Sequence, residues 1–436
     1  MGGPEILRPD EPGYDEARRV WNAMIDRRPA AIVRCRGAAD VVGALALARR
    51  DGLEVGVRCG GHSVAGHAVP DGGLMIDLTP MGGVRVDPEG RRAWVQGGAL
   101  LGALDAATQP FGLATTAGNV SHTGVGGLTL GGGMGWLARA HGLACDNVVS
   151  FEVVTASGDV VRASATENTE LYWGLRGGGG NFGVVTEFEF RLHDVGTETL
   201  TVELDFPASA AAGAMALWRD LALAAPRRAT FEATVTGGVV TLGFVWVGDP
   251  DEGRGLARGL EALGAPVEQR EIERSYLALQ TCGDTPQGHA QRRYWKGHYL
   301  PALPDAAIEA FLAQDPSMAA SLQTYGGAIA DVPADATAFG HRGTAFEYVG
   351  AARWTDPVED ATRTTTVRAG ASGIAPFARG AYVNALSDDG DAGVGRAYPA
   401  ASLARLTALK DAVDPDNVFH LNQNIRPSRH AGAAAR

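Results

Sequence analysis

RCGGHSVAGHAVPDGGLMIDLTPM, residues 58–81, is the stretch on which the fold reading turns. It starts where LEVGVR (53–58) ends, and that run alternates as a strand does. It closes on LMIDL (74–78), a second short apolar strand with Asp77 inside it. Between the two, Gly60 and Gly61 precede His62, and Gly66 follows. Glycines here let main-chain N–H groups curl around an anion, and a phosphate can come close because no Cβ intervenes. His62 then projects from a tight turn. Taken alone, the segment is explained equally well by a structural histidine in a turn. It is not a nucleophile elbow, because Ala65 stands where GxSxG needs glycine. His62 and His67 are off the four-residue helical spacing of a zinc pair.

Three further segments work outward from this one. GNVSHTGVGGLTLGGGMGWLARAHGLACDN (118–147) has glycines too dense for one turn and too irregular for a repeat. Leu128, Leu130, Met134, Trp136 and Leu137 are interleaved, which a flexible linker would not show. The run reads as backbone wrapped around an extended ligand. RGGGGNFGVVTEFEF (176–190) contains a formal GxGxxG at 178–183. A dinucleotide fold needs strand, loop, then helix. Here the helical ENTELYWGLR (167–176) comes first and a strand follows, so a Rossmann site is rejected. No GxxxxGK[ST] occurs. NQNIRP (422–427) offers side-chain amides to the edge of a heterocycle.

The rest of the chain fits a two-part α+β organisation. Helix (38–52, with Asp40 as cap candidate and Gly52 as stop), strand (93–96), helix (98–112), a hairpin turning at Ser157-Gly158 and a strand (184–192) fill the first part. From 197, TVELDF, RATFEATVTGGVVTLGFVWVG and FEYVGAARW read as antiparallel strands with one wet face, separated by helical 210–225 and 304–314. SLARLTALKDAVDP (402–415) is a helix stopped by Pro415, and the tail SRHAGAAAR reads as loose. The expected domains are therefore 1–196, a second domain at 197–401, and a return into the first at 402–436. Sixty glycines in 436 residues is about twice the usual share. The formal charge of −12 argues against nucleic acid and against a polybasic membrane anchor. No apolar run is long enough to span a bilayer, the start of the sequence does not resemble a secretory signal, and the four cysteines lie far apart. A cytoplasmic enzyme without a metal site, monomer or homodimer, is expected.

These four glycine-and-amide segments, in this order, resemble the FAD-linked oxidases of the vanillyl-alcohol oxidase / p-cresol methylhydroxylase superfamily. The branch is the berberine bridge enzyme-like group in its bacterial, 6-hydroxynicotine oxidase-like form. PAAIVRCRGAADV and DPDNVFHLNQNIRP mark the two ends of the likeness, and 200–290 matches loosely. The resemblance implies a p-cresol methylhydroxylase-type FAD-binding fold with an antiparallel-sheet substrate domain. It puts His62 at the point of covalent attachment to the flavin 8α-methyl. It puts Arg58, Cys59, Gly60, Gly61, Ser63, Val64 and Gly66, with His67 beside them, at the pyrophosphate. Gly118, Thr123, Gly124, Gly127, Leu128 and Gly135 line the flavin and its ribityl chain. Val184 and Val185 flank the adenine, and Asn422 and Asn424 the ring system. Many members carry a second link from a cysteine in an AG-x-Cys pattern; AGNVSH has Val120 there, so one covalent link is expected. Thr123 stands where many relatives carry a small apolar residue tied to oxygen access.

The resemblance also implies an activity. The enzyme takes a hydride from a CH–OH or CH–NH carbon of a small organic molecule, such as an alkaloid or other secondary metabolite. It passes the electrons to oxygen, giving peroxide. A dehydrogenase with another acceptor and a flavin-loaded drug-binding protein are the rivals. Tyr382, with Asn384 in a YxN motif, is the expected base. A free tyrosine has a pKa near 10, so about 3 units of lowering are needed. Arg342, Tyr325 and Lys296 are the groups expected to help. Glu347 is the rival base, expected as a solvated strand position. His122 and His141 are expected to be structural.

Overall fold

The computed structural model describes residues 3–285 and 288–430. Residues 431–436 of the expected loose tail lie outside the described residues; 428–430 form a short 3-10 turn.

β1 (Glu5–Leu7), β2 (Ala31–Arg34), β3 (Val55–Arg58) and β4 (Leu74–Asp77) form a sheet ordered β1-β2-β4-β3, with β2, β4 and β3 parallel. Parallel neighbours need a crossover. The helix Ala38–Asp51 follows β2 and leads to β3. Its Val41, Ala44, Leu45 and Ala48 recur at helical spacing and bury against Val33, Val55, Leu74 and Ile76. The helix stops at Gly52 as expected, in the left-handed conformation. Its start differs: Gly37 is the N-cap, and Asp40 sits inside the first turn, accepting the Arg36 N–H at 2.8 Å.

The second sheet runs antiparallel throughout. Its strands are β5 (Val84–Asp87), β6 (Arg92–Gln96), β8 (Val148–Val154), β9 (Val160–Ser164) and β10 (Val184–Arg191), ordered β5-β6-β10-β8-β9. A small pair, β7 (Leu113–Ala114) with β11 (His193–Asp194), flanks it. The β8–β9 hairpin turns at Ser157-Gly158 as read from the sequence. The glycine tract holds two short helices, Val125–Leu130 and Ala138–His141, that sequence reading did not place.

Close backbone approach explains part of the glycine density. A Cβ on Gly98 would stand 1.6 Å from the Leu78 carbonyl oxygen, and one on Gly135 the same distance from that of Ala117. Neither obstacle is a flexible side chain. Gly98→Ala is therefore expected to cost about 3 kcal/mol or more, at the upper end of overpacking effects. A urea titration in which the unfolding free energy falls by less than a quarter of that would show that the two backbones can separate.

The third sheet contains β12 (Glu198–Pro207), β13 (Ala229–Thr236), β14 (Val239–Val247), β15 (Glu268–Ser275), β16 (Arg292–Leu300), β17 (Ala319–Thr324) and β18 (Phe346–Trp354). They are antiparallel in the order β15-β12-β14-β13-β17-β18-β16. Side chains alternate between its faces. Phe231, Ala233, Leu322, Phe346 and Tyr348 point to one face. There they pack with Met215 and Trp218 of the helix Ala212–Ala224, Phe311 of Asp305–Leu312 and Val367 of Asp360–Ile374. The opposite face, expected to be wet, is polar and half-exposed over much of its area, and part of β13, β17 and β18 on that face roofs a cavity. The chain then returns to the core of the second sheet, starting at Ala381, Val383 and Leu386 and continuing with Leu406 and Leu409 of the helix Ala400–Val413.

Candidate active site

Two glycine segments far apart in sequence meet at the cavity. A Cβ on Gly60 would lie 2.3 Å from the Gly124 nitrogen, so the 59–63 and 123–128 loops touch through bare backbone. Together with Gly179–Asn181, Val184, Val185, Phe419 and Asn422, and the third sheet as roof, they enclose about 640 Å³. No group of His, Cys, Asp and Glu among the described residues is arranged to hold a metal.

His62 is fixed from three sides. Trp21 stacks on it at 4.6 Å and 16°. Nε2 faces His122 Nδ1 at 2.7 Å, and Nδ1 faces the Thr123 hydroxyl at 3.3 Å. His122 Nε2 in turn lies 3.9 Å from Asp284, whose carboxylate also takes the Ser121 N–H and hydroxyl at 2.9 and 2.6 Å. Burial, reinforced by His122 and Arg293, pushes His62 down to about 3. It is neutral at pH 7 and keeps a lone pair. His122 was expected to be structural. It lies in the half-buried shell around His62.

Tyr382 and Glu347 line the same cavity as His62. The Tyr382 hydroxyl accepts the Gly133 N–H and the Asn384 side-chain amide, both at 2.9 Å. Burial and then Glu347 push its pKa up, against the lowering that a tyrosine base needs. The expected helpers are engaged elsewhere. Arg342 is buried, outside the cavity lining, with both arms on Asp146 at 2.7 Å. Lys296 pairs with Asp388 and Asp389. Tyr325 also lies outside the lining and donates to Glu347 at 2.6 Å. Glu347 is not solvated: it is 6% exposed, and burial pushes it up to about 7 while the Tyr325 bond pulls it down.

Residues 29–164 match the FAD binding domain family, and residues 381–426 match the berberine and berberine-like family. An uncharacterized FAD-linked oxidoreductase of Bacillus subtilis is 30% identical across 98% of this chain and 97% of its own. The chain belongs to the berberine bridge enzyme-like FAD-linked oxidoreductases. (R)-6-hydroxynicotine oxidase of Paenarthrobacter nicotinovorans is 42% identical over a segment covering 44% of this chain and 42% of that protein. Among solved structures, Physcomitrella patens BBE-like 1 superposes with a TM-score of 0.89 at 26% identity, covering 98% of this chain and 97% of that one. The expected p-cresol methylhydroxylase-type fold is thus the observed one.

This FAD-linked oxidoreductase has a cavity suited to its cofactor. His67 Nε2, Asn119 Oδ1 and Asn422 Oδ1 belong to lining residues and are buried without a hydrogen-bond partner. Buried polar atoms are costly to leave unpaired, and a long polar cofactor answers that need. Of the residues expected to hold it, Cys59, Gly60, Gly61, His62, Ser63, His67, Gly118, Thr123, Gly124, Gly127, Leu128, Val184, Val185 and Asn422 line the cavity. The others stand behind it. Arg58 turns its guanidinium to the Ala17 carbonyl. Val64 is buried, and Gly66 forms a left-handed turn against Ile25. Gly135 abuts Ala117, and Asn424 has its Oδ1 buried outside the lining. Asn422 is itself held by the Gly180 and Phe419 carbonyls, so one end of its amide is free for a ligand.

Proposed function

We propose that this enzyme is an oxidase that takes a hydride from a CH–OH or CH–NH carbon of a small organic molecule and passes the electrons to oxygen. FAD, when bound, supplies the redox chemistry. Glu347 accepts the substrate proton; the observation that carries this is its carboxyl, buried on the cavity wall and oriented by Tyr325. Tyr382 acts as a donor. Its two accepted hydrogen bonds leave its own proton free for a substrate oxygen or nitrogen. Reoxidation of the reduced protein within seconds in air separates the oxidase from a dehydrogenase.

The tether is His62 alone. Its neutral imidazole keeps a lone pair for the flavin and is held in place by His122, 2.7 Å from Nε2, and by the Thr123 hydroxyl, 3.3 Å from Nδ1. A solved glucooligosaccharide oxidase is described with both a 6-S-cysteinyl and an 8α-N1-histidyl link. Val120 has no sulfur to make the first, and Cys59, the lining cysteine, keeps a proton because burial pushes it up to about 11. After acid precipitation and proteolysis, the yellow peptide should contain His62. A colourless pellet refutes the tether. His122→Ala is expected to lower the acid-stable flavin fraction at least tenfold while FAD still binds reversibly; full attachment in that variant removes His122 from the step.

A further inference from the structure

The cavity face of the third sheet carries a polar row that the hydride step does not use. Strand register sets Glu232 of β13 opposite Gln323 of β17, and Gln323 opposite Glu347 of β18. Directly paired residues of antiparallel strands share a face. Glu232, Gln323 and Glu347 therefore form one line across two strand spacings, roughly 10 Å. All three line the cavity. Glu347 has one oxygen on Tyr325. Glu232 is half-buried and has no partner among the described residues; desolvation at the cavity wall and the neighbouring Glu203 push its pKa up to about 7. Gln323 Nε2 is buried with nothing to donate to.

The surroundings make the row one-sided. No Lys or Arg is found among the described lining residues. His62 and His67 are held neutral, with pKa values near 3 and 4. Arg270, the cation on the same register line, is taken by Glu203 at 2.9 Å and by Asp205 at 2.7 and 2.9 Å. A carboxyl on a cavity wall with no cation is costly to ionise unless a ligand brings the counter-charge. Anionic compounds find no cation among the described lining residues there.

We propose that Glu232 anchors a protonated amine, so that the oxidised compound is an organic cation whose ammonium group sits on the order of 10 Å from the reacting carbon. Gln323, midway, donates Nε2 to an oxygen of the same compound. This assignment rests on the oxidase reading above, which places the reacting carbon at Glu347.

The test is calorimetric titration of the flavin-containing protein with three matched probes: 4-phenylbutylammonium, 4-phenylbutanol and 4-phenylbutanoate. The ammonium should bind at least tenfold tighter than the alcohol, and the carboxylate more weakly than either. Glu232→Gln should erase that preference, a tenfold to hundredfold loss for the ammonium, with the alcohol unchanged within twofold. Glu232→Asp should keep part of it. Equal affinities for ammonium and alcohol, equal losses in the variant, or no ammonium binding at millimolar concentration overturns the anchor. Heat is read whether or not flavin is attached, and the acid-stable flavin of each sample is measured alongside. Reoxidation in air and the Glu347→Gln reduction rate test the oxidase site separately, so a missing preference in a protein that passes both counts against Glu232.

Discussion

Glu347→Gln leaves the flavin bound and slows its anaerobic reduction about 10²- to 10⁴-fold, the usual contribution of a positioned general base. The carboxamide keeps the shape and can still accept from Tyr325, so folding is preserved and the loss falls on the proton transfer. The pH profile gives a second reading. Burial raises Glu347 from its ordinary 4.5 to about 7, and a base must be ionised. kcat/KM of the parent enzyme should therefore rise with pH through a midpoint near 7, and that limb should vanish in the glutamine variant. Tyr325→Phe removes the bond that lowers this pKa, so its midpoint should move upward. Stability follows the opposite sign. A carboxyl whose pKa is raised by folding favours the native state below 4.5 and loses that advantage as pH rises to about 7. Glu347→Gln should flatten the stability curve across that window. Reduction within threefold of the parent rate would take Glu347 out of the chemistry.

Glu347 also shows where sequence reading stopped. FEYVGAARW alternates cleanly, and the apolar partners Phe346 and Tyr348 identify the core side correctly. The other side of an antiparallel strand faces water in most proteins, so Glu347 reads as solvated. That its part of the face is closed off depends on the first two sheets packing beneath it, which is a long-range fact. His62 was legible because its glycines are local requirements of a turn and of close approach. His122 was visible in the quoted segment, but its contact with His62 spans sixty residues of chain and its link to Asp284 far more. Tyr382 was found through its motif, yet its expected role failed on electrostatics. The cations that were to lower its pKa have their own carboxylates, and burial with Glu347 nearby keeps it protonated against the two donors on its oxygen.

The contact that ties the C-terminal return to the 176–183 loop is expected to give the largest stability effect. Lys410 and Asp414 are both 0% exposed and 2.7 Å apart. Lys410 Nζ also donates to the Asn181 and Phe419 carbonyls at 2.7 and 2.9 Å, and Asp414 accepts the Val418 and Phe419 N–H groups at 2.8 and 2.9 Å. Asn181 and Phe419 line the cavity, one from the 176–183 glycine loop and one from the C-terminal return. Lys410→Met leaves Asp414 buried without its counter-charge, which costs about 3–5 kcal/mol. Arg405→Ala offers the control: its pair with Glu170 joins the same return to the helix Thr169–Leu175 just before that loop but is 40% and 60% exposed, so its loss should cost about 0–1 kcal/mol. Adding Asp414→Leu to Lys410→Met should recover part of the loss by removing the stranded charge. Recovery stays incomplete because the Val418 and Phe419 N–H groups lose their acceptor. Urea midpoints rank these variants, and flavin retained after gel filtration reports whether the loop and the return still close on the cavity. If Lys410→Met unfolds no earlier than Arg405→Ala, the two segments are held by apolar packing of Leu406 and Leu409, and the ion pair is a passenger.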